Sequence, residues 1–545
     1  MNIGIVTLNA KFIHASLSLR YLRNAAREAG FGDVWIGEFV IDQPLWKIAA
    51  EIQRRQPDVV GVSVYIWNRQ QSLQLIELLK KQNPELTVAV GGPEVSFESS
   101  FSPEFTVISG EGENKWVEFL QYRRRGETPA ADVLRRWRTY GTDLPPLRPP
   151  YLEEDGANLG NRIVYLETSR GCPYLCSFCL SARDETVRYF DDDQMRGQVE
   201  RLMKIKPRTI KFIDRTFNLR PKRMQALMQW LAQFRGTSFH FEVVGDILTA
   251  DVLDFLKTVP QGMFQFEIGV QTVDGGVQSV IRRKQDNRRV FAAVKNLVRE
   301  NRVHVHCDLI FGLPDESFAG ILESFSTLVK LKPHELQLGF LKFLPGAPIR
   351  DLIETHEYRF QSFPPYEVVS HKALPAGRVI YLKKFAEVFD RFYNSKRFRF
   401  SLDRLLETWE PAKLFDRLLR YMEMNGLFMR ELSLDRVYRA FFEAFDLAGD
   451  GLAMDLLRLD YVYRQRVFRL PDFLKNPRAQ GARFKSWSGD RKSPLFLFMH
   501  EIQFNGNGVN LNPAGEPLYY AFVHPKEKNG YMVQPAVVRE SEIIS

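Results

Sequence analysis

The chain has 545 residues, 45% of them hydrophobic and 26% charged, a globular composition that excludes a disordered or fibrous chain and leaves room for roughly three or four domains. No apolar run reaches the ~18 residues that a membrane-spanning helix needs, so no membrane span is expected. The net charge of +9 admits a nucleic-acid partner, but the bases are spread along the chain; a solvated basic surface is the expectation, and an anionic small-molecule substrate is equally compatible.

Residues 1–8 lack a basic flank and a long apolar stretch, and read as a first strand and not as a signal peptide. Strands are expected at residues 3–8, 34–41, 58–65, 87–90 and 105–109, with helices at 15–30, 46–55 and 70–82. The first helix carries apolar spacing at Leu17, Leu19, Tyr21, Leu22 and Ala26 and closes on Gly30. Asp58-Val-Val-Gly-Val-Ser-Val-Tyr65 is mostly apolar, as a parallel strand buried on both faces would be. Short strands alternating with helices imply a doubly wound, Rossmann-like sheet, on which ligands sit at the carboxyl ends of the strands. Those ends carry Gly91-Gly-Pro-Glu94 and Gly110-Glu-Gly-Glu113, where glycine lets backbone approach a ligand closely.

Pro145, Pro146, Pro149 and Pro150 mark a stiff linker at 141–160. Beyond it come six strand–helix units, with strands expected at 163–167, 209–213, 238–243, 264–270, 303–310 and 336–342. Helices at 192–203, 222–234, 250–257, 290–300 and 318–331 separate them. Such repetition fits a partial (β/α)6 TIM-type barrel with its chemistry at the C-terminal face of the strands. From about residue 371 the pattern turns mostly helical, at 378–394, 403–425, 432–447 and 452–462, with strands at 495–498 and 518–523 in a small tail. Lys396-Arg-Phe-Arg-Phe400 interleaves bases with aromatics, as single-strand binders do, but it is short and reads as a helix-flanking surface patch. The expected organisation is therefore α/β: a Rossmann-like domain at 1–140, a linker at 141–160, a partial barrel at 161–370 and a mostly helical domain at 371–545.

Three of the four cysteines, Cys172, Cys176 and Cys179, fall in Thr168-Ser-Arg-Gly-Cys-Pro-Tyr-Leu-Cys-Ser-Phe-Cys179. Thiols so close can bind a soft metal or cluster, or form a disulfide with one left over; a zinc site short of a ligand is a further reading. Three ligands on a four-iron cluster would leave one iron open for chemistry. Few cysteines, three of them kept reduced, point to the cytoplasm. The sequence has no P-loop, no His-Glu-x-x-His and no second cysteine cluster.

The C-x3-C-x2-C array, with Phe178 just before its last cysteine, resembles that of the radical S-adenosylmethionine enzymes. The resemblance implies a [4Fe-4S] cluster on Cys172, Cys176 and Cys179, S-adenosylmethionine bound at the open iron with Phe178 beside it, and its reductive cleavage to a 5′-deoxyadenosyl radical. An electron donor such as flavodoxin or ferredoxin is implied with it. Four further positions are similar to the oxygen-independent coproporphyrinogen oxidase branch: Glu242, Gln271, Arg283 and Asp308, followed by Gly312 in Gly312-Leu-Pro. In those relatives the matching groups contact S-adenosylmethionine. A carboxylate suits ribose hydroxyls or an ammonium, and a guanidinium suits a carboxylate. Asp214, in Phe212-Ile-Asp-Arg-Thr-Phe-Asn218, reads either as substrate-facing or as loop-capping; the role of Glu267 stays open, and Cys307 reads as an inert buried thiol.

The two glycine–acid segments ahead of such a barrel resemble the cobalamin-binding domain of cobalamin-dependent radical S-adenosylmethionine enzymes, and residues 11–19 resemble the loop after its first strand. Cobalamin contacts are thereby implied at Ser63, Gly91, Gly92, Gly110, Glu111 and Gly112. The Asp-x-His-x-x-Gly motif is missing, so no lower cobalt ligand is assigned, and His14 reads as a loop residue. The activity implied is methylation of an unactivated carbon of a small molecule. Non-methylating cyclisation, rearrangement or oxidation is the alternative, and a non-catalytic cluster-bearing sensor is the second. No catalytic side chain is assigned.

Overall fold

A computed structural model describes residues 1–97, 105–142, 144–463, 469–476, 486–487, 495–505, 508–522, 536–538 and 543–544. The chain divides into two compact units, Met1–Ser324 with Leu331–Val379, and Phe325–Lys330 with Ile380–Ser545.

The first unit begins with a five-stranded parallel sheet in the order Val34–Val40, Ile3–Asn9, Val59–Ser63, Thr87–Gly91, Thr106–Ile108. Alternation along the strands splits the core between its two faces. Ile3, Ile5, Val59 and Ala89 pack with Leu19, Ala26, Trp116, Phe119 and Trp137. Val6, Leu8, Val60, Val62, Val88 and Val90 pack with Ile48, Ile52, Leu75 and Leu79. A sheet buried on both faces needs apolar residues at successive positions, which is why these strands read as continuous apolar runs. The strand order reverses between Ile3–Asn9 and Val59–Ser63, the place where open α/β sheets bind ligands.

Two helices that the sequence reading missed follow this sheet, Glu113–Arg125 and Ala131–Arg138. Trp116, Phe119 and Leu120 had the required spacing; the helix starts at the glycine loop and stops at Gly126, whose φ of +67° ends it. The proline linker is not a free spacer. The carbonyls of Pro149 and Pro150 accept from the Asn24 amide at 3.2 and 2.8 Å. Asp155 takes both Arg23 terminal nitrogens, at 2.7 and 2.8 Å.

Six parallel strands then form an open barrel in sequence order: Ile163–Leu166, Thr209–Phe212, Ser238–Val243, Phe264–Gln271, His304–Phe311 and Glu335–Phe340. Its first strand is met by the loop after Ile3–Asn9: the Ile163 N–H donates to the Ile13 carbonyl at 2.7 Å, and His14 bridges to Ile163. In the third to fifth strands one alternate set, Phe239, Phe241, Phe266, Ile268, Val305 and Cys307, is fully buried. The other set is mostly polar: Glu267 of the fourth strand pairs with Lys211 of the second at 3.1 Å and with His240 of the third at 2.9 Å.

The second unit is helical, with Arg399–Leu405, Pro411–Met424, Leu434–Ala444 and Gly451–Tyr463, and a hairpin of Leu495–Asn505 with Gly508–Ala521. The single helix expected at 403–425 is two, because Pro411 starts a new one after Glu410, whose side chain caps it from the Lys413 N–H. Residue 523 of the expected strand at 518–523 lies outside the described residues. The Lys396–Phe400 patch also differs from expectation. Phe398 and Phe400 are buried, at 0% and 4% exposure, and Phe398 packs on Phe392, Tyr438 and Phe441. Among the described residues no helix is long and apolar enough to cross a membrane.

Candidate active site

The cysteine loop leaves the first barrel strand and is held from below. Asp214, at the end of the second strand, is 1% exposed and accepts from the Thr168 N–H at 2.8 Å and from the Thr168 and Ser169 hydroxyls at 2.6 Å each. Burial pushes its carboxyl up, and these donors work against that rise. Of the two readings open for Asp214, the geometry is that of loop capping. Gly171 has a φ of +93°, and a Cβ there would run into the Thr186 carbonyl, so glycine is required. The Ser177 N–H donates to the Ile281 carbonyl at 2.9 Å, and the Ile349 N–H to the Ser177 carbonyl at 2.7 Å, fixing the loop's far side.

None of the cysteines is in a disulfide; Cys172 and Cys176 are buried and Cys179 is half-buried. The Cys172 sulfur lies 3.6 Å from the Thr216 hydroxyl, and the Cys176 sulfur 3.8 Å from the Arg283 guanidinium. Burial pushes the Cys176 thiol up, Arg283 pulls it back, and the Cys179 and Cys172 thiols push it further up. Among the described residues no group of three His, Cys, Asp or Glu side chains could hold a single metal ion. A four-iron cluster takes its thiolates on different irons, and so needs no such convergence. Phe178 packs against the apolar cluster of Val277, Ile281, Leu313 and Leu341.

The structure gathers Gln271 and Arg283 beside that loop. The Arg283 guanidinium donates to the Gly269 carbonyl at 2.5 Å and to the Gln285 side-chain oxygen at 3.1 Å while facing Cys176. Gln271 sits at an irregularity in strand pairing, with φ of +71°, and its side-chain oxygen is buried without a hydrogen-bond partner. A left-handed glutamine with an orphaned acceptor fits a bound donor, such as the ammonium of S-adenosylmethionine. Glu242, among the described residues, makes no hydrogen bond or ion pair; burial pushes its carboxyl up and Arg215 pulls it down. Asp308 pairs with His306 at 3.2 Å. Burial pushes the Asp308 carboxyl up, and His306 pulls it back. Glu267 is held down to about 2: burial would raise it, but His240 and Lys211 outweigh burial. The Gly312 carbonyl accepts from the Tyr358 hydroxyl at 3.0 Å, and a Cβ on Gly312 would come 2.8 Å from Val368. Cys307 is fully buried, which pushes its thiol up.

A cavity of about 720 Å³ opens between the sheet's strand ends and the barrel mouth. Ser63, Gly91, Gly92, Gly110, Glu111 and Gly112 all line it. Gly92 has a φ of +109°, and a Cβ there would lie 2.5 Å from the Val64 carbonyl oxygen, so that stretch of wall is bare backbone. The Trp116 indole N–H, also in the wall, is buried without a partner. A bare backbone cradle and an orphaned donor fit a large cofactor with acceptor groups at its edge, as cobalamin has. Glu94, two residues after Gly92, pairs with Arg69 at 3.1 Å and with the Tyr366 hydroxyl. His14 Nδ1 lies 2.6 Å from the Tyr165 hydroxyl; burial, Lys11 and Lys211 all lower its pKa.

Sequence reasoning missed Arg170. Its guanidinium pairs with Glu111 at 2.6 Å, Glu113 at 2.8 Å and Glu167 at 2.7 Å, and stands over the Tyr21 ring at 4.6 Å. Arg188 takes the other Glu111 oxygen. The acids of Gly110-Glu-Gly-Glu113 are therefore tied to the cysteine loop. The only sequence signal was a basic residue just before Gly171 and two acids far upstream.

Known families match the chain in the same order. The B12 binding domain matches residues 3–120, the Radical SAM superfamily residues 166–328, and a protein of unknown function (DUF4080) residues 354–494. Among curated proteins the chain is similar to the cobalamin-dependent radical SAM methyltransferase TokK of Streptomyces tokunonensis, 26% identical over 418 residues, 70% of this chain and 58% of TokK. It is similar too to the 2-(S-pantetheinyl)-carbapenam-3-carboxylate methyltransferase of Streptantibioticus cattleyicolor, 24% identical over 476 residues, 79% of this chain and 66% of that protein. The chain thus spans 58% and 66% of the lengths of these relatives. In fold it is similar to OxsB, a cobalamin-dependent S-adenosylmethionine radical enzyme solved with aqua-cobalamin and S-adenosylmethionine, at a TM-score of 0.57 and 15% identity, covering 85% of this chain and 75% of OxsB. The radical S-adenosylmethionine methyltransferase TsrM of Kitasatospora setae, solved with cobalamin and a [4Fe-4S] cluster, gives 0.53 and 15%, covering 67% of this chain and 79% of TsrM.

Proposed function

With a B12-binding domain followed by a radical SAM domain, the chain belongs to the cobalamin-dependent radical S-adenosylmethionine enzymes, and we propose that it methylates an unactivated carbon of a small-molecule substrate. The observation that carries this reading is the shared cavity, walled on one side by the glycine-bared strand ends of the sheet and on the other by the barrel loops flanking Cys179. The names of the two curated relatives support methyl transfer.

When bound, the cluster and S-adenosylmethionine supply a carbon radical that abstracts hydrogen, and cobalamin supplies a methyl carrier. The chain's own residues bind, orient and enclose. Cys172, Cys176 and Cys179 would hold the cluster. Gln271, Glu242, Asp308 and Arg283 would hold S-adenosylmethionine, with Arg283 facing Cys176 and so ordered by the same loop. Ser63, Gly91, Gly92, Gly110 and Gly112 would offer backbone and hydroxyl contacts to cobalamin, while Glu111 fixes the loop through Arg170 and Arg188. Apolar walls, among them Val62, Leu180 and Ile213, keep water from the reacting carbon. Reduced thiols suit a cytoplasmic setting with a flavodoxin or ferredoxin as electron donor.

Anaerobic reconstitution tests the reading. Iron, sulfide and cobalamin are quantified, and deoxyadenosine and S-adenosylhomocysteine are followed with candidate substrates. Both nucleosides are expected. Deoxyadenosine without S-adenosylhomocysteine would move the chain to non-methylating radical chemistry, and neither nucleoside would make it a sensor. The triple C172A/C176A/C179A variant should lose its iron, and R283A should bind S-adenosylmethionine at least tenfold more weakly with iron retained. Full iron in the first, or unchanged affinity in the second, would remove those residues from the site.

A further inference from the structure

We propose that Arg215 anchors an anionic group of the substrate, a carboxylate or a phosphate, on the barrel side of the cavity. The inference rests on the reading above, that substrate and cofactors meet in this cavity. The charged side chains lining it are Glu111, Glu113, Glu167, Arg170, Asp184 and Arg215. Every carboxylate among them already has a donor. Glu111, Glu113 and Glu167 share Arg170, and Asp184 accepts from the Tyr140 hydroxyl at 2.5 Å. The single charge of Arg170 is already outnumbered by those three acids. Arg215 is different: among the described residues its guanidinium makes no hydrogen bond or ion pair, although it acts electrostatically on Glu242 and Tyr140. The Ser181 hydroxyl, on the loop after the neighbouring barrel strand, also makes no hydrogen bond among the described residues and lines the same cavity.

A fork of N–H donors with a hydroxyl nearby is the donor set that recognises an oxyanion, and a planar guanidinium does so in bidentate fashion. Arg215 is exposed toward the cavity, so water solvates it until a ligand arrives; a ligand that excludes this water must replace its hydrogen bonds. Ile213, Tyr165 and Leu180 in the surrounding wall are apolar or aromatic. The substrate class is thus a small molecule with an anionic group on an apolar body, in keeping with the basic balance of the chain, +9 overall.

The test uses cofactor-loaded full-length chain titrated calorimetrically with phenylacetate and with phenyl phosphate, against neutral phenylacetamide. At least one anion should bind saturably and at least tenfold more tightly than the amide. R215Q should lose that preference at least tenfold while keeping its iron, its cobalamin and its S-adenosylmethionine affinity, and R215K should keep part of it. The inference is overturned if neither anion outbinds the amide, or if R215Q binds the anions as the parent does. A parallel fall in S-adenosylmethionine affinity would also overturn it, by making Arg215 a cofactor contact. Failure of the earlier reading looks different: the parent protein would then take up no cluster or cobalamin, or would form no S-adenosylhomocysteine on reconstitution, whatever its preference for anions.

Discussion

Glu316 shows how burial sets chemistry at a single position. It is 2% exposed, accepts from the Thr272 hydroxyl at 2.6 Å through one oxygen, and leaves the other without a partner. Burial pushes its carboxyl up to about 8; Thr272 pulls it back and Asp274 adds to the rise. The folded chain therefore keeps a proton that the unfolded chain releases near the ordinary 4.5. Its contribution to stability is full below about 4.5 and is lost as pH rises through about 8, a change of a few kcal/mol at about 1.4 kcal/mol per unit. E316Q has no proton to release. Between about pH 5 and about pH 9 the parent should lose more stability than E316Q, which keeps the other buried acids such as Asp460; equal losses would clear Glu316 of the effect. The sequence marked Glu242, Gln271, Arg283 and Asp308 because a motif singled them out. Glu316, Arg170 and Arg215 were not legible as site residues, since what distinguishes them is which neighbours they have or lack, and those neighbours are far away in the chain.

Among elements, legibility followed the clarity of the period. The sheet and barrel strands were readable because a strand with fully buried faces is apolar along its length or at every second residue. The helix Glu113–Arg125 went unread because its charged end, Arg123 to Arg125, masks the spacing of Trp116, Phe119 and Leu120. The break at Pro411 was ignored in favour of periodicity that runs on either side of it. Asn287–Glu300 illustrates what holds an element near the site. It starts four residues after Arg283, and Asp286 caps it by accepting from the N–H groups of Arg288 and Arg289 at 2.9 and 3.3 Å. The Asp286 N–H in turn donates to Asp246 at 2.9 Å. Loss of such a cap typically costs about 1 kcal/mol. D286A should lower the unfolding free energy by that amount, read as a lower denaturant midpoint at unchanged slope, with iron content unchanged, whereas D286S should keep most of the stability; equal midpoints for parent and D286A would show that the cap contributes nothing.

At the scale of the first unit, the glycine–acid loop of the sheet and the cysteine loop of the barrel meet at one guanidinium. Motifs in the sequence announced both loops and their order, but not their junction, because Arg170 and Glu111 are separated by 59 residues and nothing in either motif marks the other as its partner. Arg170 is 12% exposed, and its acids are 21%, 14% and 11% exposed, so the pairs are well shielded from solvent. Removing one partner of a buried ion pair typically costs about 3–5 kcal/mol, since the remaining charge stays desolvated. In R170M, Glu113 and Glu167 lose the cation they share, while Glu111 keeps Arg188. The carboxylates then repel one another across the cavity's edge, and the loop carrying Gly110 and Gly112 moves away from the cysteine loop. R170M should therefore unfold at lower denaturant and also retain less cobalamin after reconstitution than the parent, with R170K intermediate in both. A variant that is destabilised yet holds cobalamin as tightly as the parent would show that the ion cluster is only structural, and that the two loops need no common tie to form one cavity.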